Sequence, residues 1–144
     1  MEEKLRVLLE KVAIEDQIKL YAHLVDSKQF ERLHEVAYPD ALLDYTASGG
    51  ECCTAEEMKG HLRKSMAPFL SEHVMTNVRV ELDPDGVHAK SDHILFNPMV
   101  MECKGKKEIF FCGLHYDIDW EKDGAGVWKM RKSVQRDSYT YYKG

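Results

Sequence analysis

No apolar run in the 144-residue chain approaches the roughly 20 residues that a membrane-spanning helix needs. Its hydrophobic residues, 44% of the total, are interleaved with 31% charged ones, the balance of an ordinary globular chain. A basic block is also missing: the net charge is -5 and the lysines are scattered, which gives no phosphate-neutralising stripe and makes nucleic acid an unexpected partner. The four cysteines form no CxxC pair, and the adjacent Cys52 and Cys53 are poorly placed to bond each other, so reduced thiols are expected. Seven histidines occur without HExxH or a spaced His/Cys set, and no metal is expected. The opening "MEEKLRVLLEKV" has neither the apolar core nor the cleavage site of a secretory signal, which implies a cytoplasmic protein. Repeats, linkers and low-complexity segments are absent, and residues 1–144 fit one domain able to bury about two thirds of its unfolded surface.

The first half of the sequence has helical character. Leu5, Leu8 and Val12, then Ile14, Ile18, Tyr21 and Val25, follow helical spacing with charges between them. "DSKQ", Asp26 to Gln29, has the form of a capping box for a second helix carrying Phe30, Leu33, Val36 and Ala37, which Pro39 would stop. "ALLDYTASGG" reads as a short strand entering a glycine turn, and "TAEEMKGHLRKSM" as a third helix capped by Thr54 and ended at Pro68. From Glu72 onward four long β segments follow, separated by the turns "DPDG", "KGKK" and "KDGAG". Strands joined this tightly form an antiparallel sheet, whose apolar face must be covered by the preceding helices, giving a two-layer α+β domain. Long strands curve, and a concave sheet under helices leaves a pocket at one end.

This order of elements, together with particular residues, resembles the NTF2-like cone fold in its SnoaL-like branch: a curved antiparallel sheet covered by three N-terminal helices. The segments that carry the resemblance are "VDSKQFERLHEVAYPDALLDY", "EHVMTN" and "DGAGVWKM", and they are most similar to cofactor-free lyases of the scytalone dehydratase, bile-acid 7α-dehydratase and hexachlorocyclohexane dehydrochlorinase kinds. The resemblance implies that Asp26 and His73 stand at the family's catalytic dyad, Tyr45 at the tyrosine of the first strand and Tyr21 at a pocket tyrosine. It also has departures. Asn97, beside Pro98, stands where a second pocket histidine is found in scytalone dehydratases, and a serine and an asparagine of those enzymes fall near Leu114 and Tyr116. The family's last-strand arginine has no clean counterpart, Ser133 and Arg136 both lying near its place.

Each residue has a plainer reading beside the chemical one. A histidine oriented by a carboxylate is a general base suited to neutral pH, yet a lone His73 at a strand start is as readily satisfied by backbone or solvent. Asp26 before "SKQFERL" fits a helix N-cap. Five residues of helix rotate by about 140°, so Tyr21 and Asp26 share one pocket only if the first helix ends or bends near Val25. Tyr21 and Tyr45 suit donation to a substrate carbonyl, and each alone also suits a core aromatic. Arg136 fits either a binding cation or a solvated edge residue. Met99 and Met101 fit a pocket mouth or ordinary core, and Trp120 and Trp128 fit packing.

The expected activity is that of a cofactor-independent lyase, a dehydratase acting on a hydrophobic cyclic hydroxy compound of polyketide-like or steroid-like size. Catalysis is expected from His73, Asp26, Tyr21 and Tyr45, and substrate binding from Arg136, Asn97, Met99 and Tyr116. An isomerase or cyclase would use the same base and donors, and a non-catalytic binding domain remains the third reading. The lyase relatives imply a homo-oligomer, a trimer before a dimer.

Overall fold

A computed structural model describes residues 1–143. One long helix, α1 (Glu2–Asp26), leads into a 3-10 helix (Phe30–Glu35), strand β1 (Ala37–Asp44), a second 3-10 turn (Thr46–Ser48), the short strand β2 (Cys52–Thr54) and helix α2 (Ala55–Met66). Strands β3 (Leu70–Ser71), β4 (Val74–Leu82), β5 (His88–Cys103), β6 (Lys106–Lys122) and β7 (Trp128–Lys143) complete the chain. The sheet runs β2-β1-β7-β6-β5, with β3 and β4 both pairing to β5. Most neighbours are antiparallel as expected; β1 against β7 is parallel. β1 and β7 are not joined by a hairpin: α2 and the strands β2 to β6 lie between them in the chain, which leaves a parallel pairing open to them.

The strands curve at bulges. Asn77 in β4 and Asp137 in β7 take left-handed backbone angles, φ 54° and 53°, beside breaks in register, and Asn and Asp tolerate that region better than most residues. Side chains alternate across the bent sheet: Ala89, Ser91, His93, Leu95 and Asn97 of β5, with Cys112, Leu114, Tyr116, Ile118 and Trp120 of β6, face inward and are buried. Trp128 and Met130 join this core, and both tryptophans are packing residues that also place their ring N–H groups on Glu10 and Ser91.

The apolar residues of α1 form two stripes rather than one. At 100° per residue, Leu5, Leu8 and Val12 point to one side, and Ile14, Ile18, Tyr21 and Val25 point about 140° away. The second stripe is buried against the sheet, whereas Leu5, Leu8, Leu9 and Val12 are exposed.

The expected second α-helix is a six-residue 3-10 helix. Lys28 adopts φ 58°, Gln29 N–H donates to the Leu24 carbonyl and Lys28 N–H to that of Val25. This is a Schellman closure of α1, so Asp26 is the last helical residue of α1 and caps nothing. Phe30 and Leu33, three apart, are buried by the 3-10 repeat equally well. Pro39 stops no helix: it lies inside β1, in the stretch between Ala37 and Leu42 where pairing to β7 is irregular and its missing N–H is not needed. The third expected helix stands as read. Thr54 and Glu57 form a reciprocal capping box on α2, and Pro68 lies just past its end.

Candidate active site

Between the concave sheet and α2 lies a cavity of about 570 Å³. Its apolar wall comes from Met58, Leu62 and Met66 of α2 and from Leu95, Met99 and Leu114 of the sheet. Tyr21, Tyr45, His73, Asn97, Tyr116 and Gln135 bring polar groups into it.

His73 sits in the short break between β3 and β4, which run in the same direction along β5. Asp26 holds it from behind: Oδ1 is 2.5 Å from His73 Nδ1, and Oδ2 accepts the His73 backbone N–H at 2.8 Å. The Ser71 hydroxyl also donates to Asp26 Oδ1 at 2.8 Å. Partial burial alone would raise this carboxyl, but the hydrogen bonds from His73 and Ser71 outweigh it and hold Asp26 below its usual range. An ionised Asp26 accepts from Nδ1–H, which leaves the lone pair on Nε2, the ring atom beside Asn97 in the cavity. Asp26 itself does not line the cavity. No bend in α1 is required, because His73 spans the 140° between the faces of Tyr21 and Asp26.

Facing the histidine is a set of three tyrosines. Tyr21 of α1 and Tyr45, just past β1, pair through their hydroxyls at 2.7 Å. Tyr116 of β6 packs edge-on to both rings, and its hydroxyl accepts from Gln135 Nε2 at 2.8 Å. Burial pushes all three phenols well above 10, so each is a neutral donor at any physiological pH. Tyr45 is placed by a tight loop in which Gly49 takes φ 82° and Gly50 packs against it, a Cβ there meeting Tyr45 Cβ at 3.0 Å.

Asn97 is 4% exposed; its Nδ2 lies 3.4 Å from His73 Nε2 and its Oδ1 has no partner among the described residues. Met99 lines the cavity, Met101 does not. Arg136, expected in the binding set, is elsewhere: it lies on the outer face of β7, exposed, in ion pairs with Asp117 and Asp137. The inward residue is its neighbour Gln135, which the sequence reading passed over. The strand period would have found it, since Gln135 shares a face with Ser133, whereas Ser133 and Arg136 are three apart and cannot.

A family model for the SnoaL-like domain matches residues 6–134. The chain belongs to the SnoaL-like family. An uncharacterized protein of Mycobacterium tuberculosis is 31% identical over 137 residues, 90% of each chain. Among solved structures, a Novosphingobium aromaticivorans protein assigned as a scytalone dehydratase superposes with a TM-score of 0.81 at 19% identity, covering 100% of this chain and 93% of its own. A type 2 hexachlorocyclohexane dehydrochlorinase superposes at 0.75 with 21% identity, over 98% of this chain and 93% of that one. At these identities the likeness establishes the fold, which is NTF2-like. Among the described residues no helix is long and apolar enough to cross a membrane.

Proposed function

We propose that this SnoaL-like protein is a cofactor-independent lyase that dehydrates a neutral, hydrophobic cyclic hydroxy ketone. The observation that carries the reading is the doubly held His73, whose Nδ1 faces Asp26 and whose Nε2 opens to a cavity with neutral phenols on its other side. In the proposed reaction Nε2 takes a proton from the carbon next to the carbonyl, and Asp26 stabilises the imidazolium. A tyrosine hydroxyl donates to the carbonyl oxygen as it becomes an enolate. The enolate then re-forms the carbonyl, a C=C bond forms and the β C–O bond breaks, with Nε2–H protonating the departing hydroxide. The products are an enone and water, and His73 is restored.

The cavity wall favours an uncharged substrate. Its interior is mostly apolar, and the other acidic and basic residues that reach it besides His73, namely Glu51, His61 and Lys64, are themselves exposed. The activities for which the superposed proteins are named, those of a dehydratase and a dehydrochlorinase, are both eliminations and support the same class.

The test is deuterium exchange. Cyclic β-hydroxy ketones incubated with the protein in D2O should exchange the proton next to the carbonyl, seen by NMR, and give enone absorbance; His73→Ala should do neither. Exchange without enone would turn the reading to an isomerase, and no exchange across a broad panel would end it.

A further inference from the structure

Three of the four cysteines lie away from the cavity and one is in its wall. Cys112, on the inner face of β6 and 9% exposed, lines the cavity as a free thiol, whereas Cys52, Cys53 and Cys103 do not reach it. The strand register places it there. Cys112 stands directly opposite Asn97 in the antiparallel β5–β6 pair, which sets their Cβ atoms about 5 Å apart on the same face of the sheet. Asn97 in turn approaches His73 Nε2 at 3.4 Å. The wall therefore presents, in order, a base, an amide and a soft nucleophile. Asn97 Oδ1, buried and without a partner among the described residues, marks this stretch as one that a ligand completes.

We propose that Cys112 is a covalent capture site for α,β-unsaturated ketones. The inference rests on the reading of the cavity as an enolate site, because the same groups serve both reactions. In the dehydration Nε2 acts first on the carbon next to the carbonyl and then on the hydroxide leaving the β carbon. Both carbons therefore lie on the His73–Asn97 side of the cavity, beside which Cys112 stands. A thiol adds to an enone as its thiolate. Nε2 takes the thiol proton, sulfur bonds to the β carbon, the C=C pair moves to form the enolate, and a tyrosine hydroxyl donates to its oxygen. Nε2–H then protonates the carbon next to the carbonyl. The thioether contains every atom of the thiol and the enone, and His73 is restored. Run backwards, removal of that proton expels the thiolate, so capture is reversible and delays the release of an enone without ending turnover.

The probe is cyclohex-2-enone, and the control is cyclohexanone, which has the same ring and no electrophilic β carbon. Brief exposure is followed by borohydride, which reduces the ketone of any adduct and prevents its reversal, and the labelled residue is located by mass spectrometry of peptides. Cys112 should gain one enone faster than Cys52 although Cys52 is the exposed thiol, and cyclohexanone should label neither. His73→Ala should slow labelling of Cys112 by about tenfold or more and leave that of Cys52 unchanged, which separates loss of the base from loss of the fold. Cys112→Ser should abolish the fast adduct. Labelling of Cys112 no faster than that of Cys52, or undiminished in His73→Ala, overturns the inference; the enolate reading then stands if β-hydroxy ketones still exchange in D2O. Absence of both capture and exchange overturns the two together.

Discussion

Asp26 grips His73 at two points, ring Nδ1 at 2.5 Å and backbone N–H at 2.8 Å, so one carboxylate at the end of α1 fixes both the tautomer of the base and the place where β4 begins. Asp26→Asn keeps the shape and can still accept from the ring, but it cannot stabilise an imidazolium. Turnover of any substrate found by deuterium exchange should fall by about 10²- to 10⁴-fold, with the circular dichroism spectrum unchanged. A variant that keeps near-full turnover would make Asp26 a purely structural anchor.

The same grip gives an acid-side stability term. Asp26 is held below its ordinary range, so the unfolded chain binds a proton at a higher pH than the folded one. The stabilisation is present above the unfolded value, near 3.8, and is lost as the pH falls through the lowered folded value. Urea midpoints for Asp26→Asn and the unsubstituted protein should therefore converge at the acid end of that window and separate above it.

How far the sequence exposed this site depended on the kind of information each residue carried. Local patterns located the long strand segments and the N-cap Thr54 of α2, because both are written in neighbouring residues. Tyr21, Tyr45 and His73 were named through resemblance and meet at one cavity, but the bond between Asp26 and His73 spans 47 positions and has no local signature. The local pattern around Asp26, a polar cluster before an apolar run, pointed instead to a cap. Lys28 in a left-handed conformation decided otherwise, and nothing about a lysine announces that. Pro39 misled for a related reason: proline marks a place where an N–H is not needed, and an irregular strand pairing satisfies that as well as a helix end. Arg136 was favoured for its charge, and the two-residue alternation on β7 puts it on the outside.

Tyr45→Phe removes one of the hydroxyls that reach the cavity. Losing one donor to a developing oxyanion typically costs about 10²- to 10³-fold in kcat, and the effect should fall on kcat more than on KM. Tyr21→Phe should do comparable damage, because its hydroxyl also reaches the cavity and is paired with that of Tyr45. A change confined to KM in both variants would mean that the phenols only shape the cavity.

His93 lies beneath this set, 1% exposed, stacked on Tyr116 with ring centres 5.0 Å apart, and both of its ring nitrogens lack partners among the described residues. Burial lowers its pKa from 6.5 to about 4. The unfolded chain therefore binds a proton on this group between those two values, so its contribution to stability is present above 6.5 and declines as the pH falls to 4. The full decline is about 3 kcal/mol. His93→Phe keeps the stack on Tyr116 and should flatten stability against pH across that window, measured by urea denaturation at intervals from pH 7 to the lower value. An unchanged slope would show that another group titrates there.

Asn97 carries the opposite conflict. Its Oδ1 is buried without a partner among the described residues, and its Nδ2 makes only a long 3.4 Å approach to the lone pair of His73 Nε2. An unsatisfied buried acceptor costs about 1–3 kcal/mol, so Asn97 weakens the unliganded fold. In the proposed reaction the acceptor has a use: the substrate hydroxyl that will leave can donate to Oδ1 while its oxygen faces Nε2. Asn97→Leu should therefore leave stability unchanged or raise it by about 1 kcal/mol, and it should weaken both substrate affinity and turnover by about tenfold or more. Thermal denaturation and steady-state kinetics on the same preparation would separate the two effects. A variant less stable than the unsubstituted protein would mean that the Nδ2 contact to His73 is worth more than the vacant Oδ1 costs. Asn97 would then be part of the frame that holds the base and not a site kept open for the leaving hydroxyl.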